Sequence, residues 1–160
     1  MRLQITAEKL GRLGVETLGI VGSGVERVRF FLRFRPVRGP LGADPDLSTH
    51  RAYGLPHSPV TPEIWGAIGS AYDNLARELG VQVAEGKARE IIGRLDGFEP
   101  AASEHAEFQR HQIQFTGQFL VDREGIVRWS NVEGAREGLA GMDKFPGDEE
   151  LLAAAAALPR

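Results

Sequence analysis

The stretch Val15–Val21, VETLGIV, constrains this chain more than any other. It is rich in β-branched and apolar residues and bounded by Gly14 and Gly22, so it reads as a buried strand. Gly22-Ser23-Gly24 then turns the chain straight into a helix, with Ser23 and Glu26 at capping-box spacing. Val25, Val28, Phe31 and Leu32 give that helix an apolar face, and Pro36 stops it. A strand that runs through a tight turn into a helix opens a crossover, the connection from which parallel sheets are built. The flanks extend the pattern. Thr6 caps a short helix to Leu13, with Gly14 as its C′ residue. An extended piece over Val37–Leu41 follows, and Asp44-Pro45 opens a helix that reaches about Tyr53. Helix, strand, helix, strand, helix predicts an α/β fold.

The chain then changes character. Leu55 to Pro62 is a stiff connector with prolines at 56, 59 and 62. Thr61 and Pro62 open the strongest helix, with Ile64, Trp65, Ile68, Tyr72, Leu75 and Leu79 along one face and Gly80 as its stop. A second helix is expected near Gly86–Leu95, broken by Asp96-Gly97. Pro100 to His111 is polar and reads as a loop or a short helix capped by Ser103. Gln114 to Asp122 and Ile126 to Val132, joined by Arg123-Glu124-Gly125, form the clearest hairpin signal, with the glycine supplying positive φ. Asp148 caps a last helix, EELLAAAAAL, made of strong helix formers.

With 160 residues, 42% of them hydrophobic and 26% charged, the chain is expected to form one globular domain over residues 1–160. It contains no cysteine, which excludes disulfides, thiolate metal sites and any cysteine nucleophile within it. Neither a signal-type apolar segment nor a run of about 18 apolar residues is present, so the expected setting is the cytoplasm, without membrane contact. The net charge of −3 hides a split, because residues 1–38 carry eight basic and three acidic side chains. Such a split permits an anionic partner without demanding one.

No local motif assigns catalysis. Gly22-Ser23-Gly24 lies where an anion could bind, but Arg27 occupies the third small position of a dinucleotide fingerprint. Val21 and Val25 stand where a nucleophile elbow needs glycines. Arg27, Arg29, Arg33, Arg35 and Arg38 interleave with Phe30, Phe31 and Phe34. That mixture suits single-stranded nucleic acid, and equally a surface helix whose arginine stems cover its apolar residues. The plainer reading is preferred in an acidic chain. His50, His57, His105 and His111 show no metal-ligand spacing, and His105 and His111 would fall on different helix faces. No catalytic, cofactor-binding or metal-ligating residue is assigned, and no cofactor is expected.

Several of these segments, in order, resemble the peroxiredoxin-like family of alkyl hydroperoxide reductase and thiol-specific antioxidant proteins, within the thioredoxin superfamily. The resemblance is carried by Val15–Val21 with its following helix, by Leu41-Gly42-Ala43-Asp44-Pro45-Asp46-Leu47, and by Thr49-His50-Arg51-Ala52-Tyr53-Gly54-Leu55. Gly117 to Trp129 is similar to the family's hairpin, and Lys144-Phe145-Pro146 with Asp148 to Leu152 to its closing helix. It covers roughly residues 4–55 and 113–158, with about 56–112 as a helical insertion. It implies a thioredoxin-like mixed sheet with flanking helices whose first core strand is missing. In the family that strand leads into the helix bearing the peroxidatic cysteine, and Met1 falls inside the later part of that helix. Thr116 stands where typical members carry the arginine that activates the thiolate.

The resemblance therefore implies an antioxidant-family protein without the peroxidatic cysteine, non-catalytic as given, acting as a structural or binding module. Its sheet would be completed by a homodimer or by an N-terminal partner chain. One alternative is a thiol-dependent peroxide-reducing oxidoreductase whose cysteine comes from an upstream region or a partner. The other is anion or nucleic-acid binding through the arginine-rich helix 27–38.

Overall fold

A computed structural model describes residues 2–95, 97, 99 and 102–159. Met1, Asp96 and Pro100 lie outside the described residues, as does the side chain of Ser103. The fold is mixed α/β, with helices and three small sheets of two strands each. It divides into two compact units, one of residues 1–55, 116–132 and 145–160, the other of residues 56–115 and 133–144.

In the first unit, α1 (Arg2–Gly11) starts earlier than the sequence suggests, so Thr6 lies within the helix rather than at its cap. Its exit uses Gly14 at φ +78°, and Val15 N–H donates to Leu10 C=O. The expected long strand shrinks to β1 (Gly19–Val21), which pairs in parallel with β2 (Leu41–Ala43). Between them runs α2 (Val25–Phe34), which packs on β2 and buries Val28. The capping box does not form. Gly24 is the N-cap, which moves Glu26 off the required third position, and it pairs with Arg29 instead.

The helix expected after Asp44-Pro45 is also shorter. α3 (Ser48–Ala52) begins after Leu47, which is buried and left-handed at φ 55°. A non-glycine residue in that region costs about 1–2 kcal/mol. Asp44 offsets it from a distance, accepting hydrogen bonds from Ser48 N at 2.9 Å and Thr49 N at 2.8 Å.

The hairpin of this unit is β5 (Gly117–Val121) against β6 (Val127–Val132), with a bulge at Leu120/Val121 and Gly125 at φ 82° in the turn. Leu120 shares a core cluster with Leu10 and Ala155, flanked by Val15, Trp129 and Leu152. Burying each leucine contributes about 1.5–3 kcal/mol. Ala155 belongs to α7 (Asp148–Ala156), whose N-cap is Gly147 rather than Asp148. Asp148 instead accepts from Thr6 Oγ1 at 2.6 Å and pairs with Lys9, tying α7 to α1.

In the second unit, β3 (His57–Ser58) pairs antiparallel with β4 (Ile113–Gln114). The single strand expected from Gln114 to Asp122 is thus two, split at Phe115-Thr116, because Phe115 N–H donates to Pro56 C=O across the connector. α4 (Pro62–Glu78) follows its sequence signals closely. Thr61 Oγ1 accepts from Ile64 N at 3.3 Å, and Gly80 leaves at φ 67°. α5 (Ala88–Gly93) packs Ala88 and Ile92 on Ala76, while α6 (Ala102–His111) stacks Phe108 on Trp65 at 6.0 Å. A 3₁₀ turn at Gly138–Gly141 packs beside α4.

Candidate functional site

The C-terminal end of the parallel pair gathers the most organised polar chemistry of the first unit. Asp44 follows β2 directly and is the only buried polar residue among those described. Besides the two amides already named, its carboxylate accepts from Ser48 Oγ at 2.8 Å and from His50 N at 3.3 Å. His50 Nδ1 lies 3.2 Å from the same carboxylate. A carboxylate only accepts, so Nδ1 is the protonated nitrogen of that ring. Burial pushes the Asp44 carboxyl up, but the bonds from Ser48 and His50 outweigh it and hold the group far below the usual carboxylate range.

Gly22 explains why the loop after β1 needs glycine. A Cβ there would meet Leu47 Cδ2 at 2.4 Å, with His50 Cε1 at 3.7 Å. The turn is therefore packed against α3 and its approach. That makes the end of the sheet a rigid corner in which Asp44 organises loop backbone.

The other sequence candidates are dispersed. His57 is exposed on β3, and His105 and His111 lie six residues apart on α6. Among the described residues no group of three His, Cys, Asp or Glu side chains could hold a metal ion. Thr116 is exposed between β4 and β5. The arginine-rich helix is largely engaged within its own unit. Arg27 stacks over Phe30 at 4.8 Å and Arg35 over Phe31 at 5.4 Å, while Arg29 pairs with Glu26 and Arg38 with Glu8. The rings that a base would stack on already carry guanidinium groups. In the second unit, Trp65 is covered likewise, by Phe108 and by Arg89 at 4.4 Å. A hollow of about 530 Å³ beside α4 is lined by small side chains such as Ala67, Ser70 and Ala71 together with Glu78, Asp143 and Lys144.

The resemblance carried the expectation of open edges beside Val15–Val21 and the hairpin. In the β1–β2 ladder, Gly19 N–H donates to Pro40 C=O and Val21 C=O accepts from Asp44 N–H. By alternation, the N–H and C=O of Ile20 point away from β2. No strand among the described residues pairs on that side. Leu18 is 61% exposed, Ile20 37% and Val21 38%, and the Thr17 hydroxyl beside them is buried with no hydrogen-bond partner among the described residues.

Natural edges are guarded by charge or proline. β2 lies between Pro40 and Pro45, β3 between Pro56 and Pro59, and β6 carries Arg128. β1 has neither, for no charged residue or proline falls between Glu16 and Glu26. β5, Gly-Gln-Phe-Leu-Val, has neither as well. The available signal was the uncharged run around β1, which looks the same in a buried central strand.

No protein-family model, curated protein or solved structure matches this chain. Among the described residues no helix is long and apolar enough to cross a membrane.

Proposed function

We propose that this chain is a thioredoxin-like, peroxiredoxin-like scaffold without peroxidase chemistry, working in the cytoplasm as a binding module. Its sheet is completed by a strand from outside the chain, contributed by a second copy or by an N-terminal partner. The observation that carries this reading is the pair of unguarded edges. β1 and β5 are the strands between which the family resemblance puts the missing central strand, and both lack proline and charge. The order of parallel pair, helical segment, hairpin and closing helix supports it too. So does the contact of Tyr53 with Phe119, rings 4.7 Å apart, which seats β5 against the segment following the parallel pair.

Peroxide reduction requires a thiolate, and the chain holds no cysteine. The test is a thiol-dependent peroxide-consumption assay on the purified chain. The expected rate equals the blank without protein. Robust turnover by the chain alone overturns the non-catalytic reading, and turnover that appears only with an added cysteine-bearing partner converts it to a subunit of an oxidoreductase.

A further inference from the structure

One atom at the Asp44 corner takes no part in holding α3. His50 Nδ1 donates to Asp44 Oδ2, which fixes the tautomer of the ring and leaves the lone pair on Nε2. Nε2 is bonded by no group among the described residues and is open to solvent. The side chain is otherwise enclosed, at 13% exposed, with Cε1 3.7 Å from where a Cβ on Gly22 would stand. A histidine held in this way is a nucleophile set in one orientation. We propose that His50 Nε2 is a phosphoryl-acceptor site, modified by a small energised phosphate such as a phosphoramidate.

The Nε2 lone pair attacks phosphorus, the P–N bond of the N-protonated donor breaks, and its electron pair leaves with ammonia. Nδ1 keeps its proton, so the ring becomes a cation, and that charge forms 3.2 Å from the Asp44 carboxylate. Asp44 is thus a positioning residue, which aims the ring without touching the phosphoryl group. Its own charge is shared among five donors from Ser48, Thr49 and His50, which weakens its repulsion of an anion. The turn beside the ring, Gly22-Ser23-Gly24, carries no charged side chain and leads into the positive end of the ten-residue α2. The corner also lies at the C-terminal end of parallel strands, where open α/β sheets take their ligands. The product is a modified side chain rather than a reduced peroxide, so this inference stands or falls apart from the completed-sheet reading.

The test treats the full chain with phosphoramidate and reads site and isomer by peptide mass spectrometry and phosphorus NMR. His57 is the internal control, exposed on β3 and paired with no carboxylate among the described residues. His50 should be phosphorylated at Nε2 alone and about tenfold faster than His57, which should give both ring isomers. Asp44→Asn should remove most of that advantage and admit the Nδ1 isomer at His50, while His50→Gln should leave the peptide unlabelled. Unfolding the unaltered chain in urea makes the same comparison without a substitution, and there the two histidines should react equally. A folded chain in which His50 reacts no faster than His57, or reacts at Nδ1, overturns the proposal. So does an advantage of His50 that survives unfolding, since it would then owe nothing to Asp44.

Discussion

Each strand pair of the first unit ends in an aspartate that accepts several hydrogen bonds, and the two aspartates have different reach. Asp122 ends the hairpin strand β5. Its Oδ1 accepts from Glu124 N and Ile126 N, each at 2.9 Å, and its Oδ2 takes Arg128 Nε at 2.6 Å. The Ile126 amide first, and Arg128 and the Glu124 amide after it, hold the carboxyl below its usual value against the opposing effect of burial. All three partners lie within six residues, so this acceptor closes the two strands that pair. Asp44 is as well satisfied but bonds forward, into α3. Its carboxylate bonds do not join β1 to β2, which are held by their ladder, by Asp44 N–H donating to Val21 C=O, and by α2 packed on β2. The hairpin is thus specified locally, while the parallel pair is specified by the helix between its strands.

That contrast can be broken from either side. Leu120→Ala removes the buried centre of the hairpin's core and should cost about 2–5 kcal/mol in chemical denaturation. Amides of β6 should lose exchange protection before those of β1. Val28→Ala strips the buried contact of α2 and should cost about 1.6 kcal/mol, two methylene equivalents. Here the order should reverse, with β1 and β2 losing protection while the hairpin keeps its own. Gly125→Ala forces a side chain into φ 82°, costing about 1 kcal/mol and confined to the hairpin turn. Equal loss of protection in both pairs from any of the three would show that they unfold as one.

The smallest effect is a pH dependence. Asp44 has a depressed carboxyl in the fold, so its stabilisation is complete above the ordinary carboxylate range and is lost as pH falls below about 4. Asp44→Asn should flatten the acid limb of a stability–pH curve while changing neutral stability less than Leu120→Ala does. An unchanged acid limb would show that Asp44 is not the group whose protonation loosens α3.

Where signals are local, the sequence was legible. Thr61 with Pro62 and Gly80 marked both ends of α4, and Gly125 marked the hairpin turn. Where a partner lies far along the chain, reading failed. Asp148 looked like a cap because helix starts favour aspartate, yet its carboxylate is taken by Thr6 and Lys9 of α1. β3 and β4 are two residues each, too short for any periodicity, and only their pairing across 55 residues defines them. Asp44 was read as an N-cap four residues before the helix it serves. An open edge beside Val15–Val21 was expected from the resemblance alone, since exposure of an apolar strand depends on what lies beside it.

The clasp between Asp148 and α1 also sets an order in time. Its two bonds span 142 and 139 residues, whereas Ala76 and Ala88, which help bury the α4–α5 contact, are twelve residues apart. Closing the longer span costs more chain entropy and slows assembly. During synthesis α4 and α5 can condense while α7 has not yet been made. α1 is made before α4 and α5 yet is seated after them, and until α7 is made Leu10 has no Ala155 to pack against.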